Sequence, residues 1–205
     1  MKNTKLKEFV ILTFFTAIII LMAFTPFIGY IPLIFTKATT IHIPVIIGSI
    51  ILGPKKGAFL GFVFGLTSFI NNSFVSPTVT SFVFTPIYTL GDFDTNWLSL
   101  VICFAPRILV GVVPYYVYKF IHKKSETLSL LLAGVMGSLT NTLLVMNMIY
   151  LFFGESYATA KEASFEGFYY AILTVIGTNG VPEAIVAAIL VCAITKALKK
   201  ADKSL

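Results

Sequence analysis

The stretch that decides the fold is Ser99–Tyr118, with the sequence SLVICFAPRILVGVVPYYVY. It is an apolar run long enough to span a membrane, and it carries one full positive charge, Arg107, close to its middle. An arginine at bilayer depth is costly, and such residues normally face a protein interior or a water-filled cavity. We therefore expect Arg107 to form the cationic floor of a binding site, with other segments as its walls.

The composition of the whole chain indicates an integral membrane protein. Of its 205 residues, 57% are apolar and 12% are charged, and the mean hydropathy is +0.92. Soluble domains carry about 25% charged residues, so this chain lacks the polar surface that a water-soluble protein needs. The net charge of +6 does not indicate nucleic-acid binding, because the basic residues lie at chain ends and in short loops. Cys103 and Cys192 lie in apolar runs and are expected to be buried, without a disulfide.

Apolar runs and their Pro, Gly and charged boundaries predict one all-α membrane domain, residues 1–205, with six spans. The predicted spans are 9–25, 41–53, 57–71, 97–119, 127–153 and 168–198. With both chain ends in the cytosol (N-in/C-in), the cytosolic side of this six-helix bundle holds 12 of the 15 basic residues, which agrees with the positive-inside rule. Two connections are predicted to fold over the outer side: the apolar connection 25–40, and the long connection 71–96, which is rich in Ser, Thr, Pro and aromatic residues.

Two predicted helix faces carry small residues at intervals of four, a spacing that lets helices approach closely. In the first span these are Thr13 and Ala17, and in the third span they are Gly57, Gly61 and Gly65. We expect both faces to be docking surfaces for partner proteins.

Several polar residues within the spans are candidates to line a site beside Arg107. Asn179 and Glu183 are four residues apart among two glycines and a proline, where a broken helix is expected. Asn141 and Asn147 need polar partners in lipid and are therefore expected to face inward. The remaining candidates for substrate contact are Asn71, Asn72, Thr39, His42 and Tyr88.

Each of these assignments has a structural alternative. Arg107 would be a structural cation if it paired with Glu183, the only acidic residue predicted within a span. The asparagines would instead bond helices together, and Asn71 and Asn72 would cap a helix or form a turn. A lone histidine such as His42 is rarely a metal ligand, so no metal site is predicted.

The polar residues also limit the class of function. An intramembrane enzyme would need paired carboxylates, a Ser/His dyad or an HExxH zinc motif, and the sequence contains none of them. A channel would need a repeated pore motif, which the sequence also lacks. The remaining classes are a substrate-capturing transporter subunit and a structural membrane subunit.

Three stretches resemble a known family. Ile41–Leu66, with the sequence IHIPVIIGSIILGPKKGAFLGFVFGL, is similar to the second and third helices of the S-components of energy-coupling factor (ECF) transporters. CFAPRILVG at 103–111 and NGVPEAIVAAI at 179–189 are similar to the fourth and sixth helices of that family. The resemblance covers nearly the whole chain, including its size and six-helix topology.

This resemblance implies a plasma-membrane protein that binds a vitamin at its outer face. It implies as partners a transmembrane T-component and two ATPase subunits, which would bind ATP and Mg²⁺. This chain would then need no cofactor and would not be an enzyme, in agreement with its lack of a phosphate-binding loop. Family members dock through an alanine-xxx-alanine motif in the first helix, where this chain has Thr13-xxx-Ala17.

The stretches TKATTIHIP (36–44) and NNSFVSPT (71–78) look most like those of pantothenate-type S-components. With that substrate, Arg107 would bind the carboxylate. The residues for the amide and hydroxyls would be Asn141, Asn147 and Asn179. Riboflavin, a hydroxymethylpyrimidine, folate or another vitamin stays an alternative, as does a structural subunit without a transport role. An uncharged ligand would return Arg107 to a structural role.

Overall fold

The computed structural model describes residues 2–26, 28–32, 37–87, 96–160 and 165–201. These residues form eight α-helices and a pair of short antiparallel strands. In chain order the elements are α1 (Lys2–Phe24), β1 (Tyr30–Pro32), β2 (Lys37–Thr39), α2 (His42–Leu52), α3 (Pro54–Ile70), α4 (Leu98–Val110), α5 (Val113–Ile121), α6 (Glu126–Ala160), α7 (Phe165–Val175) and α8 (Val181–Ala201).

The helices confirm the prediction of an α-helical membrane protein. Within the described residues, five helical stretches are long and apolar enough to cross a membrane. They are Lys5–Phe24, Pro54–Val75, Leu98–Ile121, Glu126–Thr159 and Tyr169–Ala201. The predicted connection at 25–40 contains the strands β1 and β2, paired from Tyr30↔Thr39 to Pro32↔Lys37, which we call the hairpin.

The short helix α2 is the centre of the bundle. It has 11 residues, and at about 1.5 Å per residue it reaches roughly half-way through a hydrocarbon core of about 30 Å. Its residues are almost all buried, and it contacts α1, α3, α5, α6 and α8. It is apolar all round because it faces other helices on every side.

Two apolar clusters hold the helices together. The larger one surrounds α2 and includes Ile19 of α1, Phe64 of α3 and Val191 of α8. The smaller one joins Phe82, in the connection after α3, to residues of α4 and α6 such as Val145. Both clusters contribute fully buried side chains, so they fix the relative positions of the helices that carry the polar residues.

The glycine face of α3 packs against α4. A Cβ at Gly57 would lie 2.0 Å from the carbonyl oxygen of Gly111, and a Cβ at Gly61 would lie 2.2 Å from that of Arg107. Gly65 belongs to the same buried face. The prediction that this face docks a partner protein is wrong, because these glycines let two backbones of the same chain approach each other.

Two of the predicted spans are interrupted. The span predicted at 97–119 breaks between α4 and α5 at Gly111–Val112. Pro114 causes this break, because it lacks an N–H and its ring clashes with the preceding helical turn. The span predicted at 168–198 contains a π-helical turn, Ile176–Gly180, between α7 and α8, which confirms the predicted irregularity there.

The helix α6 is longer than the predicted span 127–153. It continues to Ala160 through a kink at Phe153, where φ is −136° and ψ is 20°. The segment that follows the predicted span, from Gly154 onward, is therefore helical over its first part. Its polar residues led us to end the span at 153, although a helix that emerges from a membrane is also polar at its end.

Candidate functional site

A cavity opens where the two apolar clusters meet, between Phe64 of the larger and Val145 of the smaller. The space between its walls is about 760 Å³ when it is counted out into the open solvent at the mouth. Its walls come from both hairpin strands, from α3, α4, α6 and α8, and from the connection after α3. A ligand there would touch elements from the whole length of the chain.

Arg107 reaches this cavity from α4 and is 6% exposed. Pro106 has no backbone N–H, so the Ile102 carbonyl loses the hydrogen bond it would otherwise accept within the helix. Arg107 Nη1 donates to that carbonyl oxygen at 2.6 Å. The guanidinium carbon also lies 5.8 Å and 5.1 Å from the ring centroids of Phe64 and Phe84, distances that allow cation–π attraction. The side chain is therefore held in place from three directions.

Glu183 lines the same cavity from α8. It forms no ion pair with Arg107, although both residues belong to the described part of the chain. Its Oε1 accepts a hydrogen bond of 3.1 Å from the backbone N–H of Thr39, which attaches the hairpin to α8. The structure does not support the alternative in which Glu183 neutralises Arg107.

Four buried polar atoms around the cavity have no hydrogen-bond partner among the described residues. They are Tyr30 Oη, Thr39 Oγ1, Arg107 Nε and Asn141 Oδ1. Leaving a buried polar atom without a partner costs about 1–3 kcal/mol, and in native proteins water or a ligand usually supplies the bond. The set combines a cationic donor, two hydroxyls and an amide oxygen, so it is complementary to a small polar molecule with an anionic group.

The connection after α3 covers part of the cavity and is held by polar contacts. Asn72 Nδ2 donates to the Ser68 carbonyl oxygen at 2.9 Å, and Asn72 Oδ1 accepts from Ser81 Oγ at 3.1 Å. Phe82, next in the connection, packs edge-on against Phe153, with ring centroids 5.9 Å apart. The connection that covers the cavity therefore packs against α6 at its kink, Phe153.

The structure brings together six of the residues that the sequence singled out for substrate contact. They are Arg107, Asn141, Asn179, Glu183, Asn72 and Thr39. Asn72 lines the cavity, but both ends of its amide are bonded within the protein. Its role is therefore close to the structural alternative, in which it forms a turn.

Two other predicted contacts lie away from the cavity. Asn147 is exposed on α6, where its Nδ2 donates to the Leu143 carbonyl oxygen at 2.7 Å. The expectation that it faces inward is wrong, because a bond to its own helix satisfies the amide donor without a neighbouring helix. Asn71 is buried, and its Nδ2 reaches the Ala23 carbonyl oxygen at 3.4 Å, which links α3 to the end of α1.

Two predicted contacts remain to be placed, and three aromatic residues of the cavity wall were not predicted. His42 is buried in the core at the start of α2 and does not line the cavity, and Tyr88 lies outside the described residues. Sequence reasoning missed Tyr30, Phe64 and Phe84 of the cavity wall. A useful signal was the position of Tyr30 in an apolar, Pro- and Gly-containing connection, where an aromatic residue is expected to cover something.

A protein-family comparison identifies the chain. The family model described as "ECF transporter, substrate-specific component" matches residues 7–195. The chain belongs to this family. The resemblance predicted from the sequence is confirmed, and this S-component is a multi-pass transport protein of the plasma membrane.

Two curated relatives match this S-component over almost their whole lengths. One is the pantothenic acid transporter PanT of Lactococcus lactis subsp. cremoris, 42% identical over 203 residues, which covers 98% of each chain. The other is the pantothenate transporter PanT of Leuconostoc mesenteroides subsp. mesenteroides, 31% identical over 211 residues. That match covers 97% of the S-component and 95% of the relative.

Proposed function

We propose that this S-component captures pantothenate at the outer face of the membrane for ATP-driven uptake by partner subunits. The near-full-length similarity to two proteins named as pantothenate transporters supports this substrate. The structural observation that carries the proposal is the group of unpartnered polar atoms around one cavity. Pantothenate has one carboxylate, one amide and two hydroxyls, and each can complete a hydrogen bond with such a group.

In this proposal Arg107 binds the carboxylate. Its Nη1 donates to the Ile102 carbonyl, whereas Nε is buried and has no hydrogen-bond partner in the part of the chain that the structure describes. The edge formed by Nε and Nη2 is therefore left for the two parallel hydrogen bonds that a guanidinium makes with a carboxylate. Phe64 and Phe84 shield this contact from water, which strengthens the attraction between the two charges.

The amide and hydroxyl groups of pantothenate then face α6 and α8. Asn141 Oδ1 is unpartnered and accepts from the ligand N–H or from a hydroxyl. Glu183 has one oxygen bonded to Thr39, and its second oxygen accepts from a hydroxyl. Asn179 lines the same wall. We leave Asn147 out of the site, because it is exposed on α6 and does not line the cavity.

We propose six membrane crossings, with both chain ends in the cytosol, and assembly with a T-component and two ATPase subunits. The distribution of 12 of the 15 basic residues on one side supports this orientation. ATP and Mg²⁺ would bind to the ATPase subunits, and this chain would carry no cofactor of its own. The crossing at α2 would be completed by the hairpin, because α2 alone is too short.

Single cysteines test the orientation. Cys103 and Cys192 are buried, so they should react slowly with a membrane-impermeant maleimide. Val79, 45% exposed in the connection after α3, and Lys55, exposed in the first turn of α3, suit replacement by cysteine. We expect labelling of Val79→Cys in intact cells and of Lys55→Cys only after permeabilisation. The reverse pattern would contradict the N-in orientation.

Binding to the purified chain tests the function. We expect it to bind labelled pantothenate, to bind pantothenol (in which CH₂OH replaces the carboxylate) at least about 10-fold more weakly, and to leave riboflavin and thiamine unbound. Binding of another vitamin in place of pantothenate would refute the proposed substrate. Equal affinities for pantothenate and pantothenol would refute the role of Arg107 and leave the substrate intact.

A further inference from the structure

The hydroxyl of Tyr30 is a polar group of the cavity that the proposed contacts leave unused. Tyr30 lies in β1 and pairs across the hairpin with Thr39 of β2. Its Oη is buried and has no hydrogen-bond partner among the described residues. Thr67 and Ser68 of α3 lie close by, but neither completes a hydrogen bond of normal geometry.

The surroundings of Tyr30 make it a donor beside a cation. Its phenol, a group with an ordinary pKa of about 10, lines the same cavity as the guanidinium of Arg107. The phenol therefore keeps its proton at neutral pH and can donate it to an acceptor. A neutral O–H donor and a guanidinium that face the same space attract an anion more strongly than they attract a neutral acceptor.

We propose that Tyr30 is a specificity-determining residue that donates its O–H to the ligand carboxylate bound by Arg107. This inference rests on the proposed function and adds a second contact to the same site. Arg107 belongs to α4 and Tyr30 to the hairpin, so a carboxylate between them joins the hairpin to the bundle. A ligand without this anion makes only the weaker neutral contact and loses affinity at both residues.

The test compares Tyr30→Phe with the unmodified protein in titrations with pantothenate and pantothenol. We expect the preference for pantothenate over pantothenol to fall by about 5-fold or more in Tyr30→Phe, because the carboxylate accepts the stronger hydrogen bond. Tyr170→Phe is the matched control, since Tyr170 is 74% exposed on α7 and does not line the cavity. It should leave both affinities unchanged.

Thermal unfolding separates binding from a structural role. The hydroxyl has no hydrogen-bond partner within the described ranges, so Tyr30→Phe should not lower the unfolding temperature without ligand. It should reduce the stabilisation that pantothenate provides. An unchanged ligand preference, or a lower unfolding temperature without ligand, would overturn the role of Tyr30 alone. Failure of the unmodified protein to bind pantothenate would overturn the proposed function together with this inference.

Discussion

At the scale of single residues, Arg107 is tolerated in the membrane because Pro106 provides it with a hydrogen-bond acceptor. The proline removes the N–H that would bond to the Ile102 carbonyl, and Arg107 Nη1 takes that position. This bond was not predicted from the sequence. The direction of the arginine side chain also depends on packing against Phe64 and Phe84, which the sequence does not show.

Arg107→Met should lower both binding and stability. We expect pantothenate affinity to fall by about 100-fold or more, because a buried charge-assisted contact is lost. The unfolding temperature should also fall, because the Ile102 carbonyl is left without a partner. Titration with labelled pantothenate and a thermal unfolding assay without ligand measure the two effects separately.

The double variant Pro106→Ala/Arg107→Met is the control for this experiment. Alanine at 106 restores a backbone N–H that can bond to the Ile102 carbonyl, so the stability lost in Arg107→Met should return. Binding should not return, because the guanidinium is still absent. Recovery of binding in the double variant would show that Arg107 acts only as a structural cation.

At the scale of elements, the sequence predicted best the helices that end at Gly or Pro. The second span was predicted at 41–53 and α2 is His42–Leu52, followed by Gly53 with a φ of 87°. The break before Pro114 was missed, because the apolar pattern continues through it unchanged. The hairpin strands have three residues each, too few for an alternating pattern to be recognised.

The site residues that could be predicted from the sequence are those whose transfer into lipid costs free energy. Arg107, Glu183 and Asn141 stand out in an apolar chain, and the structure places all three around one cavity. Tyr30 was not predictable in this way, because aromatic residues are common throughout membrane proteins. Asn147 shows the limit of the argument, since an amide can bond to its own helix and remain exposed.

The hydrogen bond from the Thr39 N–H to Glu183 should hold the hairpin against α8. Glu183→Gln keeps an oxygen that can accept from the Thr39 N–H, whereas Glu183→Ala removes it. We expect hydrogen–deuterium exchange of the peptide containing Thr39 to be about 5-fold faster or more in Glu183→Ala, since a hydrogen bond contributes roughly 1 kcal/mol. Glu183→Gln should exchange like the unmodified protein. Equal exchange rates in both variants would contradict this role.

The contact between α3 and α4 should position Arg107. A Cβ at Gly61 would lie 2.2 Å from the Arg107 carbonyl oxygen and 2.8 Å from the Ile108 Cα, so Gly61→Ala must push backbone apart. We expect it to destabilise the protein by about 1–3 kcal/mol and to weaken pantothenate binding. Gly177→Ala is the matched control, because a Cβ at Gly177 meets nothing within 4 Å. Unchanged affinity in a destabilised Gly61→Ala would show that this contact does not position Arg107.

At the scale of the whole molecule, the irregular backbone is concentrated around the cavity. The hairpin, the π-helical turn Asn71–Val75, the 3₁₀ turn Ser81–Val83 and the π-helical turn Ile176–Gly180 all adjoin residues of its wall. Non-helical backbone at membrane depth is tolerated only where protein or a cavity satisfies its polar groups. The bundle can therefore be irregular at the end that holds the cavity, while long helices with few breaks extend away from it.

We predict that the exposed surface of α1 docks onto the partner subunits of the transport complex. Of the five membrane-length helices, α1 is the least buried within the chain, and Thr13 and Ala17 are exposed on it. The Thr13 hydroxyl is bonded to the carbonyl oxygen of Phe9 in its own helix. Leucine at both positions removes this bond within α1 but no hydrogen bond to another helix among the described residues. It would, however, keep another helix from approaching closely.

We expect the double variant Thr13→Leu/Ala17→Leu to bind pantothenate normally. In cells that contain the partner subunits, its rate of ATP-driven uptake should fall by about 10-fold or more, because two added leucines obstruct a close-packed interface. The matched control is Ala171→Leu/Thr174→Leu on α7, where both residues are exposed and the Thr174 hydroxyl likewise bonds to its own helix. It should retain both binding and uptake. Normal uptake by both double variants would show that α1 is not the docking helix, whereas loss of binding in the first would show that its outward face also supports the fold.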